Sequence, residues 1–346
     1  MNIFSNEFLF EKVVYFWLLV VFFVCLLLIF IYKKLAIKFK ILANPNFRSL
    51  HESPIPNGGG VVFSFVFIIC VLILWLLDEV SNLIIMLFFY GALVATFFGF
   101  LDDLKNISAK KKLIVQILIS GWTLYCLDGG LIFGFEKMPE IASLLISIFL
   151  LVWIINAYNF MDGIDGLALS GATFFSGLTA FILYLNNGSS ELIILLLLLM
   201  TCSASLLVFN WPPATIFMGD AGSIFLGYVF GAIILLTIMS NDISISTWLV
   251  VFGYFFGDTT MTQIMRVVLV KKWYKAHRSH AYQNLARITN SHSKITMSVT
   301  LYHIFWVFPL ALWSVFQPEI AAIPAIMAIS PGLLIAYKYG PSFSSS

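Results

Sequence analysis

Charge is what this sequence has least of. Only 10% of its 346 residues are Asp, Glu, Lys or Arg, against about 25% in soluble domains. That shortfall excludes an ordinary water-soluble fold, and 61% hydrophobic residues with a mean hydropathy of +0.99 agree. A net charge of +2 is too small to hold a polyanion, so no nucleic-acid partner is expected. Cysteine is sparse too: Cys25, Cys70, Cys126 and Cys202 sit in apolar runs without Cys-x-x-Cys spacing, which argues against zinc and disulfides alike. No convincing internal repeat is present, and this weighs against an inverted-repeat transporter. The first apolar run, VVYFWLLVVFFVCLLLIFIY at 13–32, lacks a small-residue cleavage site and its lysines follow it. It reads as a retained anchor rather than a signal peptide.

Long apolar runs are what the chain has instead. Runs of roughly 18 or more apolar residues span a bilayer as helices. Eleven are expected, near 13–32, 58–77, 83–101, 111–127, 141–158, 166–185, 191–209, 221–240, 246–265, 296–316 and 320–337. The fold class is therefore an all-α polytopic membrane protein, a single integral-membrane domain over 1–346. An odd count puts the termini on opposite sides. With the N-terminus outside, all of the 19 basic residues except Lys12 and Lys137 fall in or beside the inner segments, as the positive-inside rule requires. This makes the N-terminus periplasmic, the C-terminus cytoplasmic, and 33–57, 102–111, 156–166, 209–220 and 266–295 the cytoplasmic loops. The outer loops, such as DEVSN and NNGSS, are short and bland.

The inner loops carry the polar chemistry. PNFRSLHESPIPNGGG (45–60) holds Arg48 and His51 before two prolines and three glycines. GFLDDLKNISAKKK (99–112) places Asp102 and Asp103 side by side, followed by Lys105 and three further lysines. Adjacent carboxylates at a membrane edge suit Mg²⁺, which takes one or two carboxylates plus phosphate oxygens. In NAYNFMDGIDGLA (156–168), Asn159, Asp162 and Asp165 follow at intervals of three, so a helical backbone would put them on nearly one face. Gly163 and Gly166 interrupt that helix, and irregular backbone at membrane depth is tolerated only around a protein-lined or watery site. FNWPPATIFMGDAGS (209–223) carries Asn210 and Asp220; Asp220 is a good helix N-cap by type and an intramembrane ionisable group besides. Asp258 lies in another apolar run, where a structural network with Arg266 is as good an account as a substrate role.

KKWYKAHRSHAYQNLAR (271–287) gathers His277, Arg278 and His280 among further basic residues. Without a Cys or Glu at ligand spacing it is a poor zinc site and a better phosphate clamp, Arg by bidentate bonds. His292 and His303 stand alone and read as structural. Acidic and basic loops together on one side of a bundle point to Mg²⁺-dependent chemistry on phosphates at the inner membrane surface.

Four of these motifs, NAYNFMDGIDGLA, GFLDDLKNISAKKK, FNWPPATIFMGDAGS and HRSHAYQ, resemble in order and spacing the polyprenyl-phosphate N-acetylhexosamine-1-phosphate transferase family, glycosyltransferase family 4. The resemblance runs from about Asn44 to Gln283. It implies transfer of a sugar-1-phosphate from a UDP-N-acetylhexosamine to undecaprenyl phosphate with release of UMP, in a bacterial inner membrane, with Mg²⁺ as cofactor and Mn²⁺ as a substitute. By the same resemblance Asp102 and Asp103 act on the prenyl phosphate, and Asp162, with Asn159 beside it, is catalytic and shares the metal with Asp220. Asp165 and Asn210 lie near the uridine, and His280 meets phosphate. Lys105, His277, Arg278 and Arg48 complete the expected substrate-binding set. Membrane lipid is a partner, and a homodimer is left open.

Departures matter. The peptidoglycan enzymes carry three consecutive histidines where His280 is followed here by Ala281 and Tyr282. The form HRSHAYQ looks like the O-antigen-initiating branch, with a small UDP-N-acetylhexosamine as donor. Asn57 stands where relatives often have a basic residue, and Asn106 where the peptidoglycan enzymes have lysine. The alternatives are a muramoyl-pentapeptide transferase or, in a different class, a proton-coupled transporter or lipid-sugar flippase. The last would need ionisable groups near midplane and on both sides.

Overall fold

The computed structural model describes residues 12–43, 54–105, 107–129, 139–269 and 277–341. Arg48, His51, Lys271, Lys272 and Lys275 lie outside the described residues. The chain is a helical bundle, α1 (Lys12–Lys38), α2 (Gly60–Leu76), α3 (Asn82–Ile85), α4 (Ala92–Lys105), α5 (Ala109–Cys126), α6 (Glu140–Phe160), α7 (Leu167–Leu185) and α8 (Ser190–Asn210) forming its first part. It continues through α9 (Gly219–Met239), α10 (Ile245–Val251), α11 (Gly253–Leu269), α12 (Ala281–Thr289), α13 (His292–Tyr302), α14 (Phe308–Phe316) and α15 (Ala322–Tyr339). A two-residue antiparallel pairing, Leu42 with Pro56 and Ala43 with Ile55, closes the first inner loop. Helices dominate because in hydrocarbon every backbone N–H and C=O must be satisfied within the segment.

Among the described residues, eight helical stretches are long and apolar enough to cross a membrane. Two of them, Asn82–Lys105 and His292–Phe316, run through a π turn. Each of the eleven expected segments falls on helix, but three differ from these eight. Helix α2 has only 17 residues, α5 opens on Ala109 and three lysines, and the run at 246–265 breaks at Phe252 into α10 and α11.

Burial is arranged around α9, whose residues from Ala221 to Leu235 are all buried. Helices α2, α4 and α6 pack on it. At the periphery the pattern inverts: α1 presents Phe16, Phe23 and Leu27 outward, as suits a helix bathed in acyl chains. One close approach sets the geometry of everything below. A Cβ on Gly99 of α4 would stand 2.3 Å from the carbonyl oxygen of Asp220, so only glycine lets α4 reach the start of α9.

Candidate active site

Helix α4 ends in consecutive carboxylates, and neighbours on a helix point about 100° apart. They consequently meet different partners. Asp102 turns inward, 4% exposed, accepts the N–H of Ile107 at 2.6 Å and pairs with the ammonium of Lys112. Asp103 turns to α9 and accepts the N–H groups of Asp220 at 2.9 Å and Ala221 at 3.1 Å. It thereby serves as the cap that α9 needs, since first-turn N–H groups have no partner inside the helix. Asp220, an N-cap by residue type, does not cap this helix: it lies within the first turn, and the capping oxygens come from Asp103 of α4. Gly219 makes this possible, with φ +74° and room for Asp103, whose Oδ2 would lie 2.5 Å from a Cβ there.

Asp103 also accepts Asn57 Nδ2 at 3.1 Å. Asn57 is delivered by backbone pairing of the first inner loop with the loop before α9, through Phe217 N–H to Pro56 O (2.8 Å) and Gly59 N–H to Phe217 O (2.9 Å). Tyr32 of α1 secures it from behind, its hydroxyl donating to Asn57 O at 3.0 Å.

Lys112, in the first turn of α5, reaches between two acids. Its Nζ lies 2.8 Å from Asp220 Oδ2 while also pairing with Asp102. The second oxygen of Asp220 accepts Asn159 Nδ2 at 2.9 Å, and that amide also donates to Ser223 Oγ at 2.8 Å. Lys112 and Ser223 were not singled out from the sequence, and Asn57 was noted only as standing where relatives often have a basic residue. Nothing in the composition distinguishes Lys112 from Lys105, Lys110 and Lys111, all three of which are exposed.

The expected shared face of Asn159, Asp162 and Asp165 does not form, because α6 ends at Phe160 and the chain turns through 161–166. Asn159 stays on the helix and faces Asp220. Asp165 faces the other way: Oδ2 accepts Ala214 N–H at 2.9 Å and Oδ1 pairs with His292 Nδ1 at 3.0 Å. Thr296 Oγ1 donates to its backbone carbonyl at 2.7 Å. Asn210 is similarly engaged, accepting Gly166 N–H and donating to Ile216 O, both at 2.9 Å. These two side chains tie together the loops that frame the site.

Asp162, partly exposed, has a carboxylate that makes no hydrogen bond or ion pair among the described residues. Loss of surrounding solvent, then the charges of Asp220, Asp103 and Asp165, hold it well above the usual carboxylate range.

On the basic side, His280 is 2% exposed and precedes α12. His277 stacks on it at 5.1 Å, with its nitrogens engaged by Gln263 at 3.2 Å and Ser279 at 3.0 Å. Burial, then the charges of His280 and Arg266, push His277 down to about 3, which favours its neutral form. Arg278 is partly exposed beside it. Lys105 is exposed at the end of α4, on a groove of about 600 Å³ lined by Phe98, Leu101, Ile107, Lys111 and Ile114.

Among the described residues no group of three His, Cys, Asp or Glu side chains is placed to hold a metal by itself. Mg²⁺ does not need one, since one or two carboxylates and substrate phosphates complete its shell. Asp102, Asp103, Asp162 and Asp220 converge with Lys112 as the one ammonium paired to any of them among the described residues. The free carboxylate of Asp162 and that surplus of negative charge fit a divalent cation.

Residues 84–238 match glycosyl transferase family 4, a stretch containing every acidic residue of the cluster. The chain is 29% identical over 292 residues to a probable undecaprenyl-phosphate N-acetylglucosaminyl 1-phosphate transferase of Bacillus subtilis (strain 168), covering 81% of this chain and 79% of the relative. It is 34% identical over 231 residues to a phospho-N-acetylmuramoyl-pentapeptide-transferase of Fervidobacterium nodosum, covering 64% and 68%. A third relative, a phospho-N-acetylmuramoyl-pentapeptide-transferase of Vesicomyosocius okutanii, is 31% identical over 262 residues, with 66% and 69% covered.

Proposed function

The chain belongs to glycosyl transferase family 4, and we propose that it transfers N-acetylhexosamine-1-phosphate from a UDP-sugar to undecaprenyl phosphate, releasing UMP. The observation that carries this reading is the joining of Asp102, Lys112 and Asp220 across three helices, with the carboxylate of Asp162, unpaired among the described residues, beside them. An anionic cluster of this kind can bring two phosphorylated substrates together only with cationic help, which Lys112 supplies in part. Asp162 and Asp220 would hold Mg²⁺. When bound, that ion neutralises diphosphate charge and makes UMP a better leaving group.

The chain's own residues do the rest. An oxygen of the acceptor phosphate attacks the phosphorus that bears the sugar. The bond from that phosphorus to the bridging oxygen breaks, its electron pair leaves with UMP, and a lipid-linked pyrophosphate sugar remains. The acceptor phosphate is already anionic near neutral pH, so Asp102 needs only to orient it or take its last proton, with Lys112 balancing the charge. Asp103 and Asn57 hold the end of α9, and hence Asp220, in place. Arg278 and His280 meet the donor's phosphates, while Asp165 and Asn210 shape the loops near the nucleoside.

A small hexosamine donor is favoured over the muramoyl pentapeptide. The two positions after His280 are buried, and Tyr282 spends its hydroxyl on Phe160 O at 2.6 Å, so α12 offers no further histidine to the donor. The product suits the first step of O-antigen or related envelope polysaccharide synthesis. The distribution of basic residues supports eleven spans in a bacterial inner membrane, with the N-terminus outside and the cluster facing the cytoplasm. The deciding assay is UMP release by purified protein given undecaprenyl phosphate, Mg²⁺ and a panel of UDP-N-acetyl sugars. UMP is expected from at least one hexosamine donor. No UMP from any donor overturns the reading.

A further inference from the structure

Asp258 is 0% exposed, in the second turn of α11, and is not part of the acidic cluster. A buried carboxylate is costly unless its oxygens are satisfied. Oδ1 takes the Nδ1 of His280 at 3.0 Å, Thr262 Oγ1 at 3.1 Å and the N–H of Ala281 at 3.3 Å. Oδ2 takes the N–H of Tyr282 at 3.2 Å. The carboxylate thus fastens the start of α12 and the imidazole before it with one group.

Because an ionised carboxylate only accepts, His280 Nδ1 carries the proton in this pair. The other nitrogen, Nε2, is buried and has no partner among the described residues. The ring is held flat between neighbours, with His277, Phe160 and Tyr282 at 5.1, 5.6 and 5.8 Å. Phe160 is two residues from Asp162, and Tyr282 donates to its carbonyl, so His280 is anchored beside the turn that carries the free carboxylate.

We propose that Asp258 is a positioning residue for the transfer reaction: it fixes His280 with Nδ1 as donor and leaves Nε2 as the atom that meets the donor's phosphates. This rests on the transferase reading above. A plain cap for α12 would use the two backbone N–H groups alone. The further bond, to a ring whose other nitrogen has no partner among the described residues, is what points to function.

The test is a double-mutant cycle on the full-length protein, reading kcat and KM for the UDP-sugar by UMP release. Asp258→Asn and His280→Gln are each expected to lower kcat by about 30-fold with KM changed less than about threefold, and the double variant to be no slower than the slower single, as for residues acting as a unit. Multiplying losses in the double variant, or a wild-type kcat in His280→Gln, overturn the proposal. Should Asp258→Asn not fold, Thr262→Val loosens the carboxylate without changing charge. It should slow the wild type by about threefold yet leave His280→Gln unchanged; equal slowing in both backgrounds overturns the proposal. A wild type that releases no UMP from any donor is a different outcome: it removes the transferase reading and this inference with it.

Discussion

The carboxylate of Asp103 receives the backbone N–H of Asp220 at 2.9 Å, so one acidic residue of the cluster holds the other in position through the main chain. Removing Asp103 should therefore cost fold as well as turnover. Asp103→Ala is expected to lose about 1 kcal/mol, the usual worth of an N-cap. Asp103→Asn keeps one accepting oxygen and should lose less than half of that, while turnover falls in both. Chemical denaturation in detergent beside UMP release separates the two effects; equal stability of the three proteins would remove the capping role.

Lys112 differs from its neighbours by position alone. Lys112→Met leaves Asp102 and Asp220 facing each other uncompensated and should reduce kcat by about 100-fold or more, the scale of losing one preorganised charge partner. Lys110→Met and Lys111→Met, both on exposed side chains, should stay within about threefold. A uniform loss across the three would mean that they act only on the membrane surface.

Asp162→Asn should bring UMP release to background without unfolding the protein, because the carboxylate it replaces bonds to none of the described residues. The same site predicts a pH dependence. Its folded-state affinity for a proton exceeds the unfolded one, so the native state binds more protons above the ordinary carboxylate range. Stability at this site then falls as pH rises from that range through the raised folded value. The melting temperature of Asp162→Asn should accordingly exceed that of wild type, by a margin that widens from pH 5 to pH 8. A margin that shrinks or reverses would contradict the charge crowding.

Gly99→Ala places a methyl 2.3 Å from the Asp220 carbonyl oxygen, backbone that cannot step aside. It should lower the melting temperature and UMP release together. Gly121→Ala in α5 meets nothing within 4 Å and should be neutral or gain about 0.5–1 kcal/mol of helix propensity. Comparable damage from both would argue that helix α4 is not tightly docked.

The acidic positions were legible because carboxylates between apolar runs have no topological reason to be there. What the chain could not reveal is direction. Four lysines follow Asp102 within ten residues, and only the turn between α4 and α5 decides that the last points inward. Asn159, Asp162 and Asp165 suggested one face, yet the helix stops between the first and second. Asp258 and His280 are 22 residues apart in the sequence, so no local period could join them. The break at Phe252 was hidden for a similar reason: the apolar run continues through it.

The contact of Gly99 with the start of α9 also fixes what kinds of change the protein tolerates. Asp102 lies three positions after Gly99, less than one helical turn. A single residue inserted there would rotate both aspartates by about 100° while leaving hydropathy, length and span count almost untouched. The loops beyond the outer ends can drift in length at little cost, but this short interval behaves as a ruler. A homologue that alters it would keep the appearance of the family and lose the alignment of its charges.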